Sequence, residues 1–284
     1  MKTKRFLFLL PLVALASCST LGQSISRDRA LEIAEDIEAQ EFVLLENSFE
    51  ARINSVNAAG KGEEKTTSNS SIYIAYNVLD AEKGTSELIY KVNQKVTSDG
   101  EVSKSKLELY IAKDKQESDE DHIYYMAYAM QQTDDEDPVY KSAYQLDDPS
   151  RFASIQALAS GAMSYSSVFN TYSKPVSIIN NFSDDEEQLA EQGVKINFYS
   201  SGNKNLAFKY EYKIPKENEE QQDEDSEYTK SSVSTIEYSD YRFTKLESSY
   251  TSSFGNKSSS SYSIKYKSSV KVSMPSGWDK YLED

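Results

Sequence analysis

The residue best equipped for chemistry in this chain is Cys18, the only cysteine. A thiolate is a strong nucleophile, and this one stands directly behind Leu15-Ala16-Ser17. Upstream, Lys2, Lys4 and Arg5 carry positive charge, and Phe6 to Ala16 is an apolar run broken only by Pro11. Basic start, short apolar stretch and small residues at a cleavage point read as a secretory signal over residues 1–17. The apolar run spans 11 residues, against about 20 for a membrane-crossing helix. It is therefore not expected to stay in the chain as a membrane span. A lone free thiol in an exported protein would be an odd reactive group; covalent modification of Cys18 removes it.

The other chemistry-bearing residues are sparse. His122 is the only histidine, so a zinc site built on two histidines is excluded, and Cys18 is the only thiol ligand. Asp119-Glu120-Asp121 precedes His122 at a strand start, which reads as a solvated loop rather than an oriented general base. No Gly-x-Ser-x-Gly elbow and no phosphate-cradling glycine loop occurs. The clusters Asp134-Asp135-Glu136-Asp137 and Asp184-Asp185-Glu186-Glu187 lack the spacing of a calcium loop. They read as a solvated loop and a helix start. Many carboxylates could serve glycoside cleavage, but no spacing selects a pair. The reading is a protein that is not an enzyme and needs no cofactor or metal.

The four residues Leu15-Ala16-Ser17-Cys18 resemble the lipobox of bacterial lipoproteins, in which a branched apolar residue and two small ones precede a cysteine. The resemblance implies a diacylglyceryl group on the Cys18 sulfur and cleavage before Cys18. It also implies an extracytoplasmic domain held to a bacterial cell membrane by acyl chains such as palmitate. Several chains are needed because one holds only reversibly, at about 0.8 kcal/mol per buried methylene. The competing reading is an ordinary signal peptide with a coincidental cysteine. Ser19 leaves open which membrane receives the protein.

Composition bounds the rest. Cleavage would leave 267 of the 284 residues, and losing three basic residues would take the formal charge from −15 to −18. So acidic a surface repels phosphate backbones, which excludes nucleic acid as an expected partner. It also argues against flat electrostatic adhesion to anionic lipid. With no disulfide available to the mature chain, the fold must rest on core burial, which this length can supply. The 21 tyrosines suit strands with one greasy and one wet face.

Residues 18–25 read as a tether and residues 26–284 as one β-rich domain. Ser26 can cap a helix with Asp28 in its first turn. Leu31, Ala34, Ile37, Leu45, Phe49, Ile53 and Val56 extend it at roughly helical spacing, with room for a break over 40–44. Ala58 to Ser70 reads as a loop. The period then becomes two: Ile72 to Val78, Leu88 to Val92, Leu107 to Ile111 and Ile123 to Met130 read as strands, with Ser98-Asp99-Gly100 as a hairpin turn. Breaks fall at 134–138 and 147–150. Phe152, Ile155, Leu158 and Met163 suggest a helix, and Ser183 to Glu186 opens another that ends at Gly193. Strands resume at Val194–Phe198 and Phe208–Ile214. Lys216 to Ser226 reads as a mobile loop. Runs at 233–238, 241–250 and 262–274 follow, and Pro275 to Trp278 closes the domain.

The fold class expected is α+β: an antiparallel curved β-sheet, an open half-barrel, with an N-terminal helix and mid-chain helices on one side. This order of elements resembles lipoprotein carriers of the LolA type and related lipid-binding lipoproteins of Gram-positive bacteria. The resemblance implies a half-barrel that grips acyl chains against its helices, and maps no binding residue onto a numbered position. From the aromatic strands themselves, Tyr76, Tyr90, Leu107, Leu109, Phe208, Tyr210 and Tyr212 are the candidates to line a groove for a lipid or other apolar ligand. They serve equally as ordinary core pairs. The alternative function is an acidic structural or interaction lipoprotein of the cell envelope with a filled core.

Overall fold

Alternation of large apolar and small polar residues drives most of the chain into strands, and those strands join into one sheet. The computed structural model describes residues 21–59, 65–82, 85–118, 122–134, 138, 140–146, 168–220, 222 and 226–282. Leu15, Ala16, Ser17 and Cys18 lie outside the described residues, as does the helix expected over 152–163.

The strands are β1 (Gln23–Ile25), β2 (Ser48–Ala59), β3 (Thr66–Asp80), β4 (Thr85–Ser98), β5 (Glu101–Lys113), β6 (Tyr125–Thr133), β7 (Tyr140–Leu146), β8 (Val194–Ser200), β9 (Leu206–Lys213), β10 (Thr229–Ser239), β11 (Arg242–Ser252) and β12 (Lys257–Lys267). They form a twelve-stranded sheet in the order β1-β8-β9-β10-β11-β12-β2-β3-β4-β5-β6-β7. Every neighbouring pair is antiparallel. The sheet is open, as the half-barrel expectation requires. One meander, β2 to β7, runs outward from the middle. A crossover returns the chain to the opposite edge, and a second meander, β8 to β12, runs back to pair with β2.

Helices lie on one face. Helix α1 (Arg27–Glu38) starts at Ser26, whose side chain accepts from the Arg29 N–H, and buries Ala30, Ile33, Ala34 and Ile37. The crossover contributes a helical turn at 168–172, α2 (Pro175–Asn180) with proline in its first turn, and α3 (Glu186–Glu191). Proline suits that position because its missing N–H would have no helical partner. Arg27 donates to the carbonyls of Ile179 and Phe182, at 3.2 and 3.0 Å, and the Val176 N–H donates to Glu38 at 2.8 Å, so α1 and α2 are clamped together. Tyr238 of β10 donates to the Tyr172 carbonyl at 2.6 Å, pinning the crossover to the sheet.

Beneath the helices the apolar side chains run in rows across the strands. Phe208, Ile236, Leu246, Tyr262, Ile53, Ile72, Val92 and Leu107 stand opposite one another in turn, from β9 to β5. Both meanders therefore feed one core. A second apolar layer lies on the other face of β3 to β7. There Ala75, Ile89, Tyr110, Tyr128 and Ala143 form a row, covered by Val270, Val272, Met274 and Trp278 of the C-terminal tail.

Several expectations are corrected. The tether expected over 18–25 gives way at residues 23–25 to β1, which pairs with β8. The loop expected over 58–70 is shortened because β2 runs to Ala59 and β3 starts at Thr66, where small polar residues pair by backbone alone. The helix ends at Glu38, and Phe49, Ile53 and Val56 belong to β2 in the middle of the sheet. A strand cannot be told from a helix by those three positions; the two-residue period is carried by Phe49, Ala51 and Ile53, and alanine weakens it. The final run stops as a strand at Lys267, and Val270 to Met274 cross to the other face as the tail. Residues 216–219 form a short helix, α4 (Lys216–Glu219), entered through Pro215.

Candidate functional site

Tyr90, Leu109 and Phe208 are buried beneath the helices, and Tyr76 and Leu107 pack half-buried against the same core. Tyr76 stacks on Phe49 at 5.3 Å, and Tyr210 stacks on Phe182 of the crossover at 5.2 Å. Tyr212 is half-buried and stands opposite Val194 and Ser232. The structure thus brings Tyr90, Leu109 and Phe208 into one core, which also takes in Ile33 and Ile37 of α1 and Ile179 of α2. Tyr90 and Tyr210 have hydroxyls pushed above the ordinary tyrosine range by burial, as expected of core residues. None of the seven borders the cavities described below.

A cavity lies on the opposite face, between the sheet and the tail. It measures about 610 Å³. It is lined by Ala112 of β5, Met126 of β6, and Val272, Met274, Trp278 and Leu282 of the tail, together with the polar residues Glu87, Lys113, Asp114, Lys115, Gln116, Glu117 and Ser273. Residues 270–282 are held in place by a buried polar network. Ser48, Asn77 and Glu87 are all buried. Asn77 accepts from the Val270 N–H at 2.9 Å and donates to Glu87 at 2.9 Å; the other Glu87 oxygen accepts from the Lys113 N–H at 2.9 Å. Farther along, Leu282 bridges to Ala143 of β7, and Lys141 donates to the Tyr281 hydroxyl at 3.0 Å. Gly277 has φ 73°, a left-handed turn that aims the helical turn Trp278–Tyr281 back at the sheet.

The carboxylate of Asp114 accepts from the N–H groups of Gln116 and Glu117, at 2.9 and 3.4 Å, so it shapes its own loop. The lining is mixed in character, and of its carboxylates Glu87 and Asp114 are already bonded to protein, which suits a small molecule with an apolar part, in a volume typical of small-molecule sites. Sequence reading missed this cavity. Val270, Val272 and Met274 alternate like a strand, and nothing local says that they leave the sheet.

No protein-family model matches this chain, and no curated protein matches it significantly. The function must be argued from the site.

Two further cavities are described. One of about 500 Å³ lies near the hairpin end of β2 to β6, with Asn54, Asn69, Asn93, Lys95, Lys106 and Gln132 among its lining. A small one of about 200 Å³ sits where α1 ends, between Phe42, Phe169 and Arg242. His122 is exposed, its ring 5.3 Å from that of Tyr124. Asp185 caps α3 by accepting from the Glu187 and Gln188 N–H groups, so that acidic cluster is a helix start. Asp134 accepts from the Lys104 N–H at 2.7 Å in a turn; residues 135–137 lie outside the described residues. Among the described residues there is no cluster of three potential metal ligands, and no helix is long and apolar enough to cross a membrane.

Proposed function

We propose that this chain is a bacterial lipoprotein, held outside the cytoplasm by acyl chains on Cys18, that binds rather than converts. Its ligand is a lipid or another small apolar molecule, and its membrane contact is through the anchor. The observation that carries the binding part is the cavity between the tail and β4 to β6, walled by Met126, Val272, Met274 and Trp278. Its size accommodates part of an acyl chain or a compact apolar ligand, and its Glu87 and Asp114 carboxylates are bonded to protein. The anchor rests on the Leu15-Ala16-Ser17-Cys18 segment.

Trp278 is the only tryptophan, so its fluorescence reports this cavity alone. Titrating the protein with a fatty acid should shift the emission to the blue and saturate. A spectrum that does not change, together with native mass spectra free of co-purifying ligand, would reject the binding reading.

A second reading is favoured by the packing under the helices. A core in which Tyr90, Leu109 and Phe208 are buried suits an acidic structural or interaction lipoprotein with no small ligand. Cross-linking on intact membranes would then capture a constant protein partner.

A further inference from the structure

We propose that the domain stands end-on to the bilayer, with the sheet end where β1 begins facing the lipid, and that Val43, Leu45 and Leu79 make shallow contact with it. The inference rests on the lipoprotein reading above.

The chain between anchor and domain is short. Only Ser19, Thr20, Leu21 and Gly22 separate Cys18 from β1. Fully extended, they let Gln23 lie no more than about 18 Å from Cys18. Strand β1 runs antiparallel to β8 with Gln23 opposite Ser200, so the tether enters at the end of the sheet marked by Ser200. That end also carries the turns joining β8 to β9 and β10 to β11, the entry to β2, and the exits of β3 and β5. The opposite end, with the Ser98–Glu101 hairpin, is far away: β3 alone has 15 residues, or about 50 Å. The tether cannot bring that end to the bilayer unless the domain lies flat.

At the tethered end the chain presents apolar side chains on a stiffened loop. Leu45 is 56% exposed, Val43 49% and Leu79 37%, while Leu44 between the first two is buried at 5%. The loop is held from behind. Tyr76 donates to the Leu45 carbonyl at 3.2 Å, Asn47 donates to the Val43 carbonyl at 2.8 Å, and Arg242 lies over the Phe42 ring at 4.7 Å. Exposure alone does not choose this end, because Val56, Val102 and Tyr250 are exposed at the other. Tether length and entry point choose it. Glu41 and Glu46 flank the loop, so the contact is apolar and shallow rather than electrostatic. The same end holds Glu87, Asp114 and Met126, so the tail cavity opens beside the membrane, where an apolar ligand would enter from the bilayer.

The test uses the acylated full-length protein in phosphatidylcholine vesicles. With Cys18 blocked by lipid, single cysteines replacing Leu45, Leu79, Val102 or Tyr250 carry an environment-sensitive dye, and lipid-borne quenchers report proximity. Quenching several-fold stronger at positions 45 and 79 than at 102 and 250, unchanged by salt or added anionic lipid, is expected. Equal quenching at both ends means a flat domain, and stronger quenching at 102 and 250 an inverted one; either overturns the orientation. Circular dichroism of each labelled protein confirms its fold, and two labels at each end keep the result independent of any one variant. Failure of the wild-type protein to float with vesicles, with an unmodified Cys18 mass, rejects the anchor itself and the orientation with it.

Discussion

The two meanders share one core under the helices but differ on the opposite face. In β3 to β7 that face carries Ala75, Ile89, Tyr110, Tyr128 and Ala143, and the tail covers it. In β9 to β11 it carries Lys209 paired with Glu211 at 2.6 Å, and Lys245 paired with Glu237 and Glu247 at 3.2 and 3.1 Å. The first face is a second apolar layer; the second is an ion-paired surface. Strands apolar on both faces need cover on both, and the tail supplies it where the sequence demands it. The cavity beside Trp278 lies on the covered face, so the halves differ: one completes the core, the other also borders that cavity.

The sharpest way to break this comparison is through the shared core. Leu109→Ala in one meander and Phe208→Ala in the other should each destabilise the protein by about 3–5 kcal/mol. Both should shift one common melting transition in calorimetry. Two separate transitions would mean two independent halves.

Asn77→Leu comes next. It leaves the Val270 N–H and the Glu87 carboxylate without their buried partner, which costs about 2–3 kcal/mol. Hydrogen exchange should then quicken in the tail and in β4 to β6, while β9 to β11 stay protected. Uniform quickening would contradict the division. Lys245→Met on the ion-paired face should change stability by no more than about 1 kcal/mol, with an effect that fades in high salt and leaves exchange in the tail untouched.

The seam between the meanders offers the smallest effect. Lys267 of β12 bonds Glu50 of β2 at 2.6 Å, and with help from Tyr73 it holds the Glu50 carboxyl below the ordinary carboxylate range. A lowered folded-state value stabilises the protein above the unfolded value and is lost as pH falls through the folded one. Acid titration of Glu50→Gln should therefore show a slightly smaller loss of stability than the wild type below about pH 4.5, the unperturbed carboxyl range. Identical acid profiles would remove this pair from the seam.

Much of the fold was legible because local chemistry and tertiary role agree. Asp99 and Gly100 both take positive φ, at 52° and 86°, as a tight hairpin between β4 and β5 requires. Asp185 and Gly193 bound α3 as a cap and a left-handed stop should. What escaped notice depends on partners distant in sequence. The strand β2 is masked by Ala51, whose small side chain is a weak apolar signal in the sequence although it is buried in the core. The start of β12 is a serine run, Ser258 to Ser261, paired on both sides by β11 and β2 rather than by any apolar pattern of its own. The candidate site divides the same way. Tyr90 and Phe208 were visible as apolar strand positions, yet which of them meets a ligand depends on where α1 packs. The cavity depends on Val270 being caught by Asn77, 193 positions away.

The lipid anchor is the claim on which export, membrane attachment and orientation all depend, and intact mass analysis of the protein from its native membrane tests it most directly. Expected is a chain that begins at Cys18 and carries diacylglyceryl mass on that residue. A chain that retains residues 1–17, or one with an unmodified Cys18 thiol, would contradict it.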